Sequence, residues 1–243
     1  MLAQGTTPSG AESEKQASTW VREMFSRIAP RYDLLNHLLS LNIDRMWRAR
    51  TVSRVSEVLA RPEAQVLDVA CGTGDLTVAL ASHLKSGAVF GTDFCHPMLQ
   101  SAHSKLPSRR MFEADALSLP VADAVFDLVT IAFGFRNLVN YTAGFAELRR
   151  VLKPGGMLAI LEFSTPPNHM LRTVYQFYSR ALLPAIGGIV SGSHDAYTYL
   201  PESVRKFPDA DRLADQMREA GFSRVRFERM TAGIVALHLG HRS

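Results

Sequence analysis

The sequence predicts an α/β fold: a mostly parallel sheet with helices on both faces, closed by an antiparallel hairpin. Three observations carry this. The stretch 65–70 is apolar around Asp68, as a strand buried on both faces would be, and it runs through Gly72, Thr73 and Gly74 into a helix-compatible stretch, 75–84. Apolar strands and amphipathic helices then alternate as far as Phe163. After a last helix, 209–220, closed by Gly221, two strands, 225–229 and 234–240, follow with only a tight connection between them.

In chain order, residues 1–16 are rich in Gly, Ser, Thr, Gln and Glu without periodicity and are expected to be disordered. Residues 17–243 read as a single domain, with no internal repeat. It begins with a helical cover, 17–60. Trp20, Val21, Met24, Phe25 and Ile28 recur at helical spacing, Pro30 interrupts, and helices are expected over 32–40 and 43–60. The strands 65–70, 88–93, 110–116, 126–134 and 157–163 make up the parallel part of the sheet. Helices over 75–84, 97–105 and 141–152 connect them, and Lys153, Pro154, Gly155 and Gly156 read as a structural turn. The less regular segment 165–208 contains an amphipathic, aromatic run at 171–183 and a Pro/Gly-broken apolar run at 184–190. It is expected to line the substrate pocket, with a membrane-touching surface or a core-packing insertion as alternatives.

The net charge is +4 and the pI about 9.3, without long basic runs, so nucleic acid is not an expected partner. An anionic membrane surface stays open. Cys71 and Cys95 are the only cysteines and read as reduced, packed thiols of a cytoplasmic protein. No metal-ligand cluster stands out, with His96 and His103 read as surface residues.

A Gly-x-Gly turn between a strand and a helix lets backbone approach a ligand closely, with the helix N-terminus presenting free N–H groups. Dinucleotide sites usually add a third glycine, and here that position is Thr77. Asp68 followed by the glycine turn instead resembles the first motif of class I S-adenosylmethionine (SAM) methyltransferases. Asp93 ends the next strand about 20 residues on, the spacing at which a carboxylate reaches ribose hydroxyls. In SAM enzymes an acid such as Asp115, with Ala116 after it, lines the adenine. The resemblance thus implies a Rossmann-like, seven-stranded sheet binding SAM through Asp68, Gly72, Thr73, Gly74, Asp93, Asp115 and Ala116.

Two longer blocks narrow the family. Tyr32, Asp33, Asn36, Leu39, Ser40, Asp44 and Trp47, in their spacing, resemble the N-terminal signature of the menaquinone/ubiquinone biosynthesis C-methyltransferases. The run from Arg150 to Ser164 resembles their second signature, and blocks at 133–137 and 197–203 are similar too. The resemblance implies methyl transfer to a ring carbon of a reduced, lipophilic prenylated quinol, demethylmenaquinol giving menaquinol. A dual enzyme that also methylates a benzoquinol is an alternative. Arg136, Asn137 and Tyr32 become the catalytic candidates, with Arg136 stabilising a developing phenolate or orienting a water. Three positions depart from the family pattern: Leu35 for Met, Asp44 for His, and Ala132 where ubiquinone-competent relatives often carry Ser. A soluble acceptor, a nucleotide-dependent oxidoreductase and a non-catalytic SAM-binding subunit are the rivals. A homodimer, and peripheral attachment to the inner face of the cell membrane, stay open.

Overall fold

A computed structural model describes residues 5–8, 10–106, 110–177 and 194–243. Its centre is one sheet of seven strands: β1 (Ala64–Val69), β2 (Gly87–Asp93), β3 (Met111–Glu113), β4 (Phe126–Ala132), β5 (Leu152–Phe163), β6 (Phe222–Met230) and β7 (Val235–Arg242). Their order is β3-β2-β1-β4-β5-β7-β6. The pairs among β1 to β5 are parallel, whereas β7 pairs antiparallel with both β5 and β6. This is the expected class I methyltransferase sheet with its terminal hairpin. The connections reverse direction between β1 and β4, which opens a crevice at the C-terminal ends of these two strands.

Ten helices stand around the sheet among the described residues: α1 (Glu14–Ile28), α2 (Tyr32–Leu39), α3 (Ile43–Arg54), α4 (Ser56–Leu59), α5 (Asp75–His83), α6 (His96–Lys105), α7 (Tyr141–Val151), α8 (His169–Phe177), α9 (His194–Lys206) and α10 (Ala210–Glu219). Two apolar layers sandwich the sheet, as central strands hydrophobic on both faces require. Phe126, Phe145, Leu148 and Met217 belong to one, and Val55, Val58, Leu80 and Leu128 to the other. A third cluster docks the cover: Val21 and Met24 of α1 pack with Cys95 and Met98 beside the end of β2.

Several boundaries differ from the sequence expectation. Helix α1 starts at Glu14, because the Ser13 hydroxyl caps it by accepting from the Gln16 N–H. Part of the tail expected to be disordered is packed: Thr6 is 5% exposed, and its N–H donates to the Leu138 carbonyl at 2.8 Å. Residues 43–60 form two helices rather than one, parted at Val55. The supposed turn at 153–156 lies inside β5 as an irregularity, where the register against β4 shifts between Phe126 and Leu128. Gly155 supplies the positive φ it needs, and Lys153 anchors it on Asp127 at 2.7 Å. The run 184–190, and the end of 171–183 past Phe177, lie outside the described residues.

Candidate active site

The crevice between the ends of β1 and β4 holds about 710 Å³ of empty space, open solvent included. Gly72, Asp93, Asp115 and Ala116 line it from the β1–β3 side, and Asn137 from the loop after β4, with Tyr32 reaching in from α2. These six sequence candidates, from distant parts of the chain, therefore converge. Ala70 and Phe133, the residues just past the ends of β1 and β4, also line it, and both adopt positive φ (+49° and +57°). Such strain persists only where the surroundings enforce it. Gly134 is required beside them: a Cβ there would lie 2.6 Å from that of Ala70.

Asp93 is 6% exposed, and its two oxygens accept the Gly72 N–H and the Cys95 N–H, each at 2.9 Å. One carboxylate thus ties the glycine turn to the start of α6. Burial pushes its pKa up to about 6, with the backbone donors pulling the other way. Asp115 turns back on its own loop, accepting the Leu117 N–H at 2.9 Å. Each oxygen in this pair of acids keeps lone-pair capacity for a ligand hydroxyl or amine.

Asp68 and Gly74 do not reach this crevice. The Asp68 oxygens accept the hydroxyls of Thr77 at 2.6 Å and Thr130 at 2.7 Å, so it ties β1 to α5 and β4. Burial likewise pushes its pKa up to about 6. Thr77, whose identity weakened the dinucleotide reading, is thus the partner that keeps a buried acid satisfied. Gly74, in a left-handed conformation, lets α6 approach: a Cβ there would sit 3.0 Å from that of Ala102. Thr73 and Asp68 line a smaller recess on the other side of Gly72, again beneath Tyr32.

The cover is latched over the turn by charge. The Thr73 hydroxyl donates to Asp33 of α2, and Lys105 of α6 reaches Asp33 and Asp75, both at 2.6 Å. Asp44, where the family pattern has His, accepts from Ser40 at 2.7 Å and from Arg48, and contacts the His37 ring at 3.0 Å. Burial opposes its charge, but these partners outweigh it and hold the carboxyl below its usual range. His37, Asp44 and Asp75 lie close enough together to hold a metal ion, yet Arg48 pairs with both acids. A cation already occupies the negative face of that cluster.

Arg136 lies behind the crevice wall rather than in it. The short 3-10 turn Phe135–Asn137 carries it, 6% exposed, onto Glu162 at 2.9 Å and the Phe133 carbonyl, and its guanidinium lies over the Phe163 ring at 5.3 Å. Glu162 also accepts the Arg136 and Phe163 backbone N–H groups at 3.2 and 2.8 Å; burial raises its pKa, with Arg136 and these donors pulling the other way. Burial works against the Arg136 charge, but Glu162 more than compensates and raises its pKa. Tyr32 is pushed up by burial and so keeps its phenolic proton. Sequence reasoning assigned no role to Glu162 or Tyr199; both stood inside quoted blocks, but nothing in their spacing says what they touch. The Tyr199 hydroxyl donates to the Asn137 side-chain oxygen at 3.0 Å.

Residues 11–242 match the ubiE/COQ5 methyltransferase family. A demethylmenaquinone methyltransferase of Deinococcus radiodurans is 47% identical over the whole of both chains. One of Thermus thermophilus is 49% identical over 90% of this chain and 100% of its own. A solved SAM-dependent methyltransferase of Thermotoga maritima, a possible histamine N-methyltransferase, shares the fold with a TM-score of 0.65 at 18% identity, covering 91% of this chain and 99% of that one. The chain belongs to the ubiE/COQ5 methyltransferase family.

Proposed function

We propose that the protein transfers a methyl group from SAM to a ring carbon of demethylmenaquinol, leaving menaquinol and S-adenosylhomocysteine. The observation that carries this is the single crevice in which Gly72, Asp93 and Asp115 face Tyr32 and Asn137. SAM fits the first group: the Asp93 carboxylate suits a ribose diol, Asp115 and Ala116 suit adenine, and Gly72 leaves room for the methionine part. When bound, SAM supplies a methyl group already activated on a positively charged sulfur.

The chain's own residues then have three tasks. They align donor and acceptor, exclude water, and favour negative charge on the ring oxygen that makes the acceptor carbon nucleophilic. Only the quinol offers such a carbon, because the quinone ring is electron-poor. Asn137 presents an amide donor to that oxygen, and protonated Tyr32 a second one from the cover. Arg136 holds positive charge behind them and fixes the loop. Forming the new C–C bond leaves a proton on the methylated ring carbon, and its loss, to water, restores the aromatic ring. Methyl transfer from labelled SAM to demethylmenaquinone is expected only when a reductant is supplied. Product formed equally without reductant, or none despite SAM binding, would refute the substrate.

The acceptor is dissolved in membrane, yet among the described residues no helix is long and apolar enough to cross one. Peripheral contact through the cover is part of the proposal. Leu34, Leu38 and Leu41, exposed by 60, 45 and 73%, stand at helical spacing on and just past α2, the helix that also brings Tyr32 into the crevice. Exposed Arg45 follows this row in the chain, and Asp33 and Asp44 are engaged by Lys105, Thr73 and Arg48. Exposed leucines followed by a cation suit an anionic lipid surface. The protein is expected to co-sediment with phosphatidylglycerol vesicles and to lose this with Leu38→Glu and Leu41→Glu together. Equal sedimentation of that variant would rule these leucines out.

A further inference from the structure

The N-terminal arm joins the crevice wall through a chain of hydroxyls. The Thr6 hydroxyl lies 2.8 Å from the Tyr199 hydroxyl, buried 193 residues away in sequence, and Tyr199 donates to the Asn137 amide oxygen at 3.0 Å. The arm is seated closely. A Cβ on Gly5 would fall 2.0 Å from the Val139 carbonyl oxygen, and Lys206 donates to the Thr7 carbonyl at 3.2 Å. Leu138 and Val139, against which the arm lies, line the crevice on their other side. The Trp20 ring packs at 5.1 Å on that of Tyr199 and closes the chain off from the α1 side.

The donor order follows from the far end. The Asn137 amide nitrogen lies 3.4 Å from the Phe133 carbonyl; flipping the amide would set two acceptors against each other there. With the nitrogen on that side, the Asn137 oxygen must accept from Tyr199, whose own oxygen is left to accept from Thr6. All three groups are then polarised in one direction, each bond strengthening the next. Burial raises the Tyr199 pKa, so the phenol stays a donor throughout the neutral range.

We propose that Thr6 and Tyr199 are positioning residues of the acceptor site: they lock the Asn137 amide with one N–H on the Phe133 carbonyl and the other left for the crevice, so that the N-terminal arm is part of the catalytic unit. This rests on the reading of the crevice as the quinol site. It gives the arm a role that its composition conceals, since Thr6 acts through partners supplied by α9 and by the loop after β4.

The test is steady-state kinetics on the full-length chain with demethylmenaquinol, alongside calorimetry with SAM. Thr6→Val and Tyr199→Phe are each expected to lower kcat/KM for the quinol about tenfold, the scale of one neutral hydrogen bond. SAM affinity should stay within about twofold, since neither residue touches that half of the crevice, and Thr6→Ser should restore the wild-type rate. Combined with Asn137→Ala, Tyr199→Phe should cost nothing further, because the amide it orients is gone. Wild-type kinetics in both single variants, or losses that add to that of Asn137→Ala, would overturn the proposal. If the wild-type chain itself fails to methylate the quinol, the substrate reading falls separately. The chain of bonds is then judged by denaturant unfolding: absence of coupling between Tyr199→Phe and Asn137→Ala would sink it as well, and coupling would retain it for a different acceptor.

Discussion

Arg136→Ala is expected to abolish turnover and to destabilise the fold at the same time, so activity alone cannot assign Arg136 a chemical role. Glu162 is 1% exposed, and it would keep two backbone donors while losing its counter-charge. Removing one partner of a buried pair costs about 3–5 kcal/mol, against a total stability of about 5–15 kcal/mol for a domain. The informative variant removes both charges. Arg136→Met with Glu162→Leu fills similar volume beside Phe163 and should recover most of the lost stability, because apolar replacement of a buried pair is often neutral. Urea unfolding would show this. If the guanidinium stabilises charge on the acceptor, the folded double variant should bind SAM normally and turn over at least about 10²-fold more slowly. Wild-type kcat in that variant would reduce Arg136 to a packing element.

What the sequence revealed, and what it hid, divides along the range of the interactions. The glycine turn, Asp93 and the seven strands follow from local rules: strand periodicity, φ > 0 at Gly72, and a spacing set by one strand–helix–strand unit. The same local view does not show what holds Asp68. An acid in the first strand looks like a ligand-binding group until its two hydroxyl partners appear, one of them 62 residues away. Glu162 was illegible for the same reason, since nothing near it in sequence says that Arg136 will meet it. The arm failed differently. Disorder was inferred from its lack of an apolar period, but Thr6 is held by groups that belong to other elements, and a segment can be ordered by its neighbours' pattern without having one of its own. The turn at 153–156 was read correctly as Gly-dependent and placed wrongly, because only pairing with β4 shows that the strand continues through it.

Asp93 carries the second large effect, and its pH dependence gives the sharper test. Burial raises its folded pKa to about 6 from a reference of 3.8. An acid raised in this way takes up a proton on folding, so the ligand-free protein loses stability as pH climbs from about 4 to 6, and above that it carries the full cost of a buried, ionised carboxylate. The ribose hydroxyls of SAM would relieve that cost, because only the ionised form accepts from both. SAM affinity is therefore expected to be flat above about pH 6.5 and to fall about tenfold by pH 5, opposite in sign to the stability of the free protein. Asp93→Asn should bind about 10²-fold more weakly at neutral pH, through loss of charge-assisted hydrogen bonds, and the slope should vanish. Calorimetry across pH 5–8 on both proteins decides this. Asp68 titrates over the same window, with its oxygens given to Thr77 and Thr130. A slope that survives in Asp93→Asn would therefore move the ligand-linked proton to Asp68, and wild-type affinity in that variant would remove Asp93 from the binding site.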